Sequence, residues 1–287
     1  MNLFRPRDYY RPDSLEEATL LLSRLGKKAK LIAGGTDLLV AKPPGVECLV
    51  DVSGLNLSYI REDEQGIRIG AATTADLIES SPILSSTPYA LLQEAAGQMA
   101  TVTVRNRATI GGNLCNASPA ADLSLPLLAL DSTLVVAGAQ GKKEIPLTDF
   151  FRDVNRTALE EAELLSEIRI PPLPSDAGAC FLKLRRHQTA IDIAVVNVAV
   201  LLVCREGVCQ RARISMGAVA PTTVRARTAE AFLTGKELRE HLIQEAAEAA
   251  AGESKPIDDL RASAGYRKRM VAVLAKRALQ TALGRCG

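Results

Sequence analysis

Two Gly-Gly pairs constrain this chain more than any other feature: Gly34-Gly35 in "LIAGGTDLLV" and Gly111-Gly112 in "TIGGNLCNASPAADL". Each follows an apolar residue and precedes small polar ones, Thr36 and Asp37 in the first case and Asn113 in the second. Glycine reaches backbone conformations closed to other residues, so a pair is first of all a turn signal. Lacking Cβ atoms, however, successive N–H groups in such a turn can also form a concave anion site that a pyrophosphate approaches closely. Neither G-x-G-x-x-G nor G-x-x-x-x-G-K-[ST] occurs, which removes the Rossmann and Walker loops and requires another fold for any dinucleotide. Around the second pair, the Thr109 and Ser118 hydroxyls, the Asn113 amide and the Asp122 carboxylate fall between residues 109 and 122. These groups suit a ribityl chain, a pyrophosphate and a ribose or adenine edge.

The remaining pattern reads in three parts. "DSLEEATLLLSRLG" is a helix, with an acidic first turn, helical apolar spacing and a closing Gly26. "AKLIAGG" and "ECLVDVS" continue it into a β-α-β start that closes near Leu57, so residues 1–57 form a first lobe. In 58–174, "GIRIGAATTADLIES" is a strand, a turn and a helix capped by Thr73 or Thr74. "PYALLQEAAGQMA" is a second helix, and "STLVVAG", "KEIPLTDF" and "ELLSEIRIP" are strands. Between them, "VRNRATIGGNLCNASPAADLSLPLLAL" is too long and aperiodic for a simple connection, a mark of function. The Pro-rich break "IPPLPSDAGA" opens a third part, 175–287. There, "CFLKLRRHQTAIDIAVVNVAVLLVCREGVCQRARISMGAV" predicts strands and an apolar helix, and two long helices follow. The fold class is α+β.

Composition excludes several roles. Thirty-five Lys and Arg against 33 Asp and Glu, with 3% aromatic residues, provide neither the basic balance nor the stacking surface of a nucleic-acid binder. No apolar run is long enough to span a membrane and the start has no secretion-signal core, so a cytoplasmic location is expected. None of the six cysteines lies in a C-x-x-C pair, and His187 and His241 are too few and too far apart for a metal site. No Ser-His-Asp set or acid/base pair emerges, and no catalytic residue is assigned.

"LIAGGTDLLV" with "RNRATIGGNLCNASPAADL" resembles the FAD-binding (medium) subunit of the molybdenum hydroxylases, the xanthine dehydrogenase and carbon monoxide dehydrogenase family. The likeness extends through "YYRPDSLEEA", "ELLSEIRIP", "FLKLRRHQTAIDIAVVNVAV" and "YRKRMVAVLAKRAL". It implies a two-lobed FAD-binding domain of the vanillyl-alcohol-oxidase (PCMH) type followed by a smaller α+β C-terminal domain. Carried over by position, Leu31, Ile32, Ala33, Gly34, Gly35, Thr36, Asp37 and Leu38 wrap the FAD pyrophosphate. Thr109, Ile110, Gly111, Gly112 and Asn113 form a second dinucleotide loop, and Asp122 binds a cofactor hydroxyl. Leu165 and Lys183 match further contacts. Asp192 and Ile193 lie beside the isoalloxazine ring, and Met99 stands where some relatives have an aromatic residue.

Plainer readings stand beside these: Lys183 as a surface lysine at a strand edge, Asp122 as a helix N-cap, and Arg105 and Arg107 as solvated loop charges or partner contacts. The resemblance further implies electron transfer within a complex. A small iron-sulfur (2Fe-2S) subunit and a large molybdenum-cofactor subunit are the partners, and electrons pass through this chain's FAD to NAD+ or another acceptor. FAD is expected to be its only redox centre, because the Cys-rich loop that holds an extra cluster in one branch of the family is missing. The alternatives are a stand-alone flavin oxidase of the same fold and a non-catalytic assembly module. Gly34→Val or Gly35→Val is expected to abolish FAD retention with the fold largely intact.

Overall fold

The computed structural model describes residues 4–86, 88–187 and 193–287. The chain opens with strand β1 (Asp8–Tyr10), helix α1 (Leu15–Leu25), β2 (Ala29–Ile32), α2 (Leu38–Ala41) and β3 (Cys48–Asp51). Ser14 caps α1 by accepting from the Glu17 N–H, and the Glu17 carboxylate accepts in turn from the Asp13 N–H. These reciprocal bonds satisfy N–H groups that the first turn leaves without partners. Ala18, Leu21 and Leu22 on one face of α1 are buried against Val50 of β3. The three strands pair in parallel in the order β1-β3-β2. The β2-α2-β3 unit matches the expected β-α-β start.

The next segment contains β4 (Ile60–Asp63), β5 (Gly66–Gly70), α3 (Ala75–Glu79), α4 (Ala90–Gly97), α5 (Val102–Arg105), α6 (Ile110–Asn116) and α7 (Ser124–Ala129). It continues with β6 (Thr133–Gly138), β7 (Gly141–Pro146), the small β8–β9 hairpin (Phe151–Asp153, Arg156–Thr157) and β10 (Leu164–Ile170). Five strands form an antiparallel sheet ordered β4-β5-β10-β6-β7. Two short helices, α5 and α6, occupy the stretch that lacked apolar periodicity. Each is a single capped turn or two, and caps, rather than amphipathic spacing, define elements this short.

After the prolines come β11 (Ala177–Leu184), β12 (Val196–Arg205), β13 (Val208–Gly217), β14 (Val224–Arg225), α8 (Arg227–Leu233), α9 (Glu240–Glu253) and α10 (Ala264–Leu283). The strands form one antiparallel sheet in sequence order. The apolar helix expected between residues 180 and 219 is absent among the described residues, and "VNVAVLLVCR" is strand β12 instead. The reason lies in its burial. Ala199, Leu201 and Val203 pack into the core of the preceding segment, while Val198, Val200 and Leu202 pack under the C-terminal helices. A strand covered on both faces loses the apolar/polar alternation and reads like a buried helix.

Candidate flavin site

The first glycine loop follows β2. Gly35 takes φ +73°, and α2 begins three residues later, with the Leu39 N–H donating to the Gly35 carbonyl at 3.0 Å. Among the described residues, no backbone N–H from Ala33 through Leu38 donates to a protein acceptor. Six successive unoccupied donors at a chain turn favour an anion. Leu31 and Ile32 belong to β2 and are half-buried, as are Ala33, Gly34, Gly35, Thr36 and Leu38, whereas Asp37 is exposed.

The second loop is organised differently. Thr109 is the N-cap of α6, and its hydroxyl accepts from the Gly112 N–H at 3.1 Å while its carbonyl accepts from the Asn113 N–H. The Ile110 N–H donates to the Thr73 carbonyl and the Gly111 N–H to the Ala71 carbonyl, both at 2.9 Å. All four amides are therefore occupied. A Cβ on Gly111 would come within 2.6 Å of the Ala71 oxygen, so this glycine allows close packing on the chain leaving β5. Gly112 is exposed, and a Cβ there would meet only the Thr109 hydroxyl, at 2.9 Å. The Asn113 side chain faces inward, accepting from the Leu123 N–H at 3.3 Å and donating to the Met99 sulfur at 3.8 Å.

The loops meet at Gly34, where a Cβ would run into the backbone carbonyl of Arg107. Gly34 is thus needed for the close packing of the first loop on the backbone at Arg107 and Ala108 before any ligand is considered. The expectation that Gly34→Val spares the fold is corrected on that ground. Arg105 is likewise no solvated charge: only 12% of its side chain is exposed, and it binds Glu79 at 2.7 Å and the Met99 and Ala100 carbonyls. Arg107 is exposed.

Behind the second loop, Asp122 is buried and its carboxylate binds Lys183 at 2.6 Å and Asn197 at 3.1 Å. Burial raises the Asp122 pKa, and Lys183 and Asn197 oppose that rise. Lys183, 2% exposed, also donates to the Gln98 carbonyl, as does Arg185. The surface-lysine reading is thereby overturned. So is the N-cap reading of Asp122, since Leu123 occupies the cap position of α7 and no side-chain bond caps that helix. Leu165 is a core residue of β10, Ile193 is 49% exposed, and Asp192 lies outside the described residues. Asn197 escaped the sequence reading although a lone amide within "VVNVAV" was a usable signal. Gln98 acts through its carbonyl and carried none. The Asn197 Oδ1 is buried with no hydrogen-bond partner among the described residues.

Residues 4–173 match the family described as the FAD binding domain in molybdopterin dehydrogenase, and 179–282 match the CO dehydrogenase flavoprotein C-terminal domain. The chain belongs to the FAD-binding medium-subunit family of the molybdenum hydroxylases. It is 36% identical to the carbon monoxide dehydrogenase medium chain of Hydrogenophaga pseudoflava, over 97% of this chain and 98% of that one. A xanthine dehydrogenase FAD-binding subunit from Escherichia coli is 30% identical, with 99% of both chains covered. Among solved structures, carbon monoxide dehydrogenase from H. pseudoflava superposes with a TM-score of 0.94 at 37% identity, covering 99% of each chain. Quinoline 2-oxidoreductase from Pseudomonas putida gives 0.89 at 30%, again over 99% of each chain. The family's chains are oxidoreductase subunits that bind FAD, and the open amides of 33–38 and the bare face at Gly112 are of the kind such a cofactor needs. No helix among the described residues is long and apolar enough to cross a membrane.

Proposed function

We propose that this subunit carries FAD between a small iron-sulfur (2Fe-2S) subunit and NAD+ or another acceptor, in a complex whose large molybdenum-cofactor subunit oxidises the organic substrate. The observation that carries this reading is the run of open amides at 33–38, next to a Gly34 that packs on the Arg107 carbonyl just ahead of the Thr109-capped helix, in a chain that matches the family over residues 4–173 and 179–282. When bound, FAD supplies chemistry that joins one-electron donors to a two-electron acceptor.

The chain's own residues hold and shield. The amides of Ala33 through Leu38 would neutralise the pyrophosphate, with Leu31 and Ile32 anchoring the loop. Gly112 would let the cofactor approach α6, whose first turn is held in place by Thr109, Ile110, Gly111 and Asn113. Asp122, fixed by Lys183 and Asn197, would accept from a cofactor hydroxyl. Leu165 would back the site from the sheet, and Asp192 and Ile193 would stand beside the isoalloxazine ring, Ile193 covering one face. On this reading residues 1–57 and 58–174 are the two FAD-binding lobes and 175–287 the C-terminal domain. The six free thiols accord with a cytoplasmic location.

An absorbance spectrum of the purified chain, with and without NADH, tests the proposal. Flavin bands that bleach with NADH, together with no turnover of the organic substrate until the partner subunits are added, are the expected result. Flavin reduction by the organic substrate in the isolated chain would indicate a stand-alone oxidase. A colourless protein that takes up no added FAD would indicate a non-catalytic module.

A further inference from the structure

The C-terminal domain gathers three of the chain's six cysteines at one end of its sheet, and the flavin site uses none of them. Cys204 and Cys209 face each other across the β12–β13 hairpin, whose tip residues Glu206 and Gly207 both have positive φ. Cys209 turns its main chain away from Cys204: its N–H donates to the Lys236 carbonyl at 2.9 Å and its carbonyl accepts from the Gly235 N–H at 2.8 Å. The two cysteines are therefore a non-hydrogen-bonded cross-strand pair. Such pairs place their Cα atoms about 4.5 Å apart, within the span of a disulfide.

The C-terminal tail brings Cys286 to the same end of the sheet, where its thiol donates to the Leu202 carbonyl at 3.7 Å, two residues before Cys204. Cys209 is buried, Cys204 and Cys286 are half-buried, and all are free thiols. Among the described residues, no set of three His, Cys, Asp or Glu side chains is arranged to hold a metal ion.

We infer that Cys204 and Cys209 form an oxidisable dithiol that a peroxide converts into a cross-strand disulfide. The hydrogen bond from Cys204 holds Cys209 below the ordinary thiol pKa against the opposing effect of burial, and that same bond pushes Cys204 up to about 11. Cys209 is thus the more readily ionised of the two, and the thiolate is the nucleophilic form. Its sulfur attacks the peroxide O–O bond to give a sulfenic acid, and the displaced hydroxide takes a proton to become water. The Cys204 sulfur then attacks the sulfenic sulfur, the S–O bond breaks, and a second water leaves with the Cys204 proton. The two thiols lose two electrons and two protons, and the peroxide becomes two waters. In a reducing compartment the dithiol is the resting form, and the disulfide is a transient, sensing one.

The test treats the purified full chain with hydrogen peroxide, blocks the remaining thiols by alkylation, digests with trypsin and maps the cysteines by mass spectrometry. Trypsin cuts after Arg205, so the Cys204 and Cys209 peptides separate unless a disulfide joins them. The expected result is a joined pair that goes from absent to the main form of these peptides and is lost on treatment with dithiothreitol. Cys48, Cys115 and Cys180 should remain alkylated. The joined pair should persist in Cys286→Ser and vanish in Cys209→Ser, a near-isosteric change expected to leave the thermal melt unshifted. Alkylated or over-oxidised Cys204 and Cys209 with no link would overturn the inference. So would a Cys204–Cys286 link in the wild type, or loss of the pair in Cys286→Ser.

Discussion

Gly34 packs against the Arg107 carbonyl, four residues before Gly111-Gly112, yet the amides of the first loop are open and those of the second are occupied. The first loop leaves a parallel strand for a one-turn helix, and among the described residues the N–H groups of Ala33 through Leu38, ahead of the helix's own bonds, have no partners. The second is fastened by Thr109 from within and by the Ala71 and Thr73 carbonyls from the neighbouring turn. On the proposed reading, one Gly-Gly pair leaves donors for the cofactor and the other builds the wall against which it would rest. Within each pair the duties divide again. Gly34 and Gly111 make room for protein backbone, Gly35 supplies a left-handed turn, and Gly112 presents a bare surface.

Substitutions can break this division of roles, and the largest effect is expected at the contact between the loops. Gly34→Ala drives a methyl into the Arg107 carbonyl and should cost about 3 kcal/mol, the scale of severe overpacking. Melting temperature and flavin content should fall together; a normal melt would show that the lobes can part without cost. Gly35→Ala at φ +73° should cost roughly 1–2 kcal/mol in backbone strain, with flavin content falling further than that loss of stability explains. Retention of full flavin content would remove the first loop from the site.

Thr109→Val deletes the cap hydroxyl and should cost about 1 kcal/mol in denaturant unfolding. Loss of more flavin than in Gly35→Ala would reverse the comparison between the loops. A carboxylate beside the first loop offers a pH test of similar size. Burial alone would raise the pKa of Asp51, but hydrogen bonds from Tyr9 and Ser53 outweigh it and lower the value. A lowered carboxyl contributes stability that is present above its unfolded pKa and lost as pH falls through the folded one. The wild type should therefore lose about 1 kcal/mol more than Asp51→Asn on acidification below about pH 4, measured by urea unfolding. Parallel pH profiles for the two would sink this. The smallest change in stability belongs to Gly112→Ala, where a helical glycine gains a methyl that only nudges the Thr109 hydroxyl. Unfolding should shift by about 0.5 kcal/mol or less while FAD affinity drops, and unchanged affinity would mean that α6 does not face the cofactor.

Much of this was legible in order along the chain. Ser14, Glu17 and Gly26 announce α1, and Thr74 caps α3 as its position before "ADLIE" predicts. The glycine pairs marked the two loops. Burial of Lys183 was not legible, because its partners Asp122 and Gln98 lie 61 and 85 residues away in sequence. Arg105 looked like a loop charge because Glu79, which binds it, lies 26 residues away at the end of α3, and the Met99 and Ala100 carbonyls carry no side-chain signal. Strand β12 was misread in part because two different cores cover it, a fact no local pattern contains.

By itself the sequence determined where backbone could be bare, where helices begin and end, and which family's cofactor the two loops suit, since capping, glycine freedom and motif spacing are properties of neighbouring residues. Tertiary structure alone decided which glycine loop keeps its amides free and which gives them up. That choice depends on carbonyls at Ala71 and Thr73, nearly forty residues before the second pair, and only the folded chain brings them within 2.9 Å.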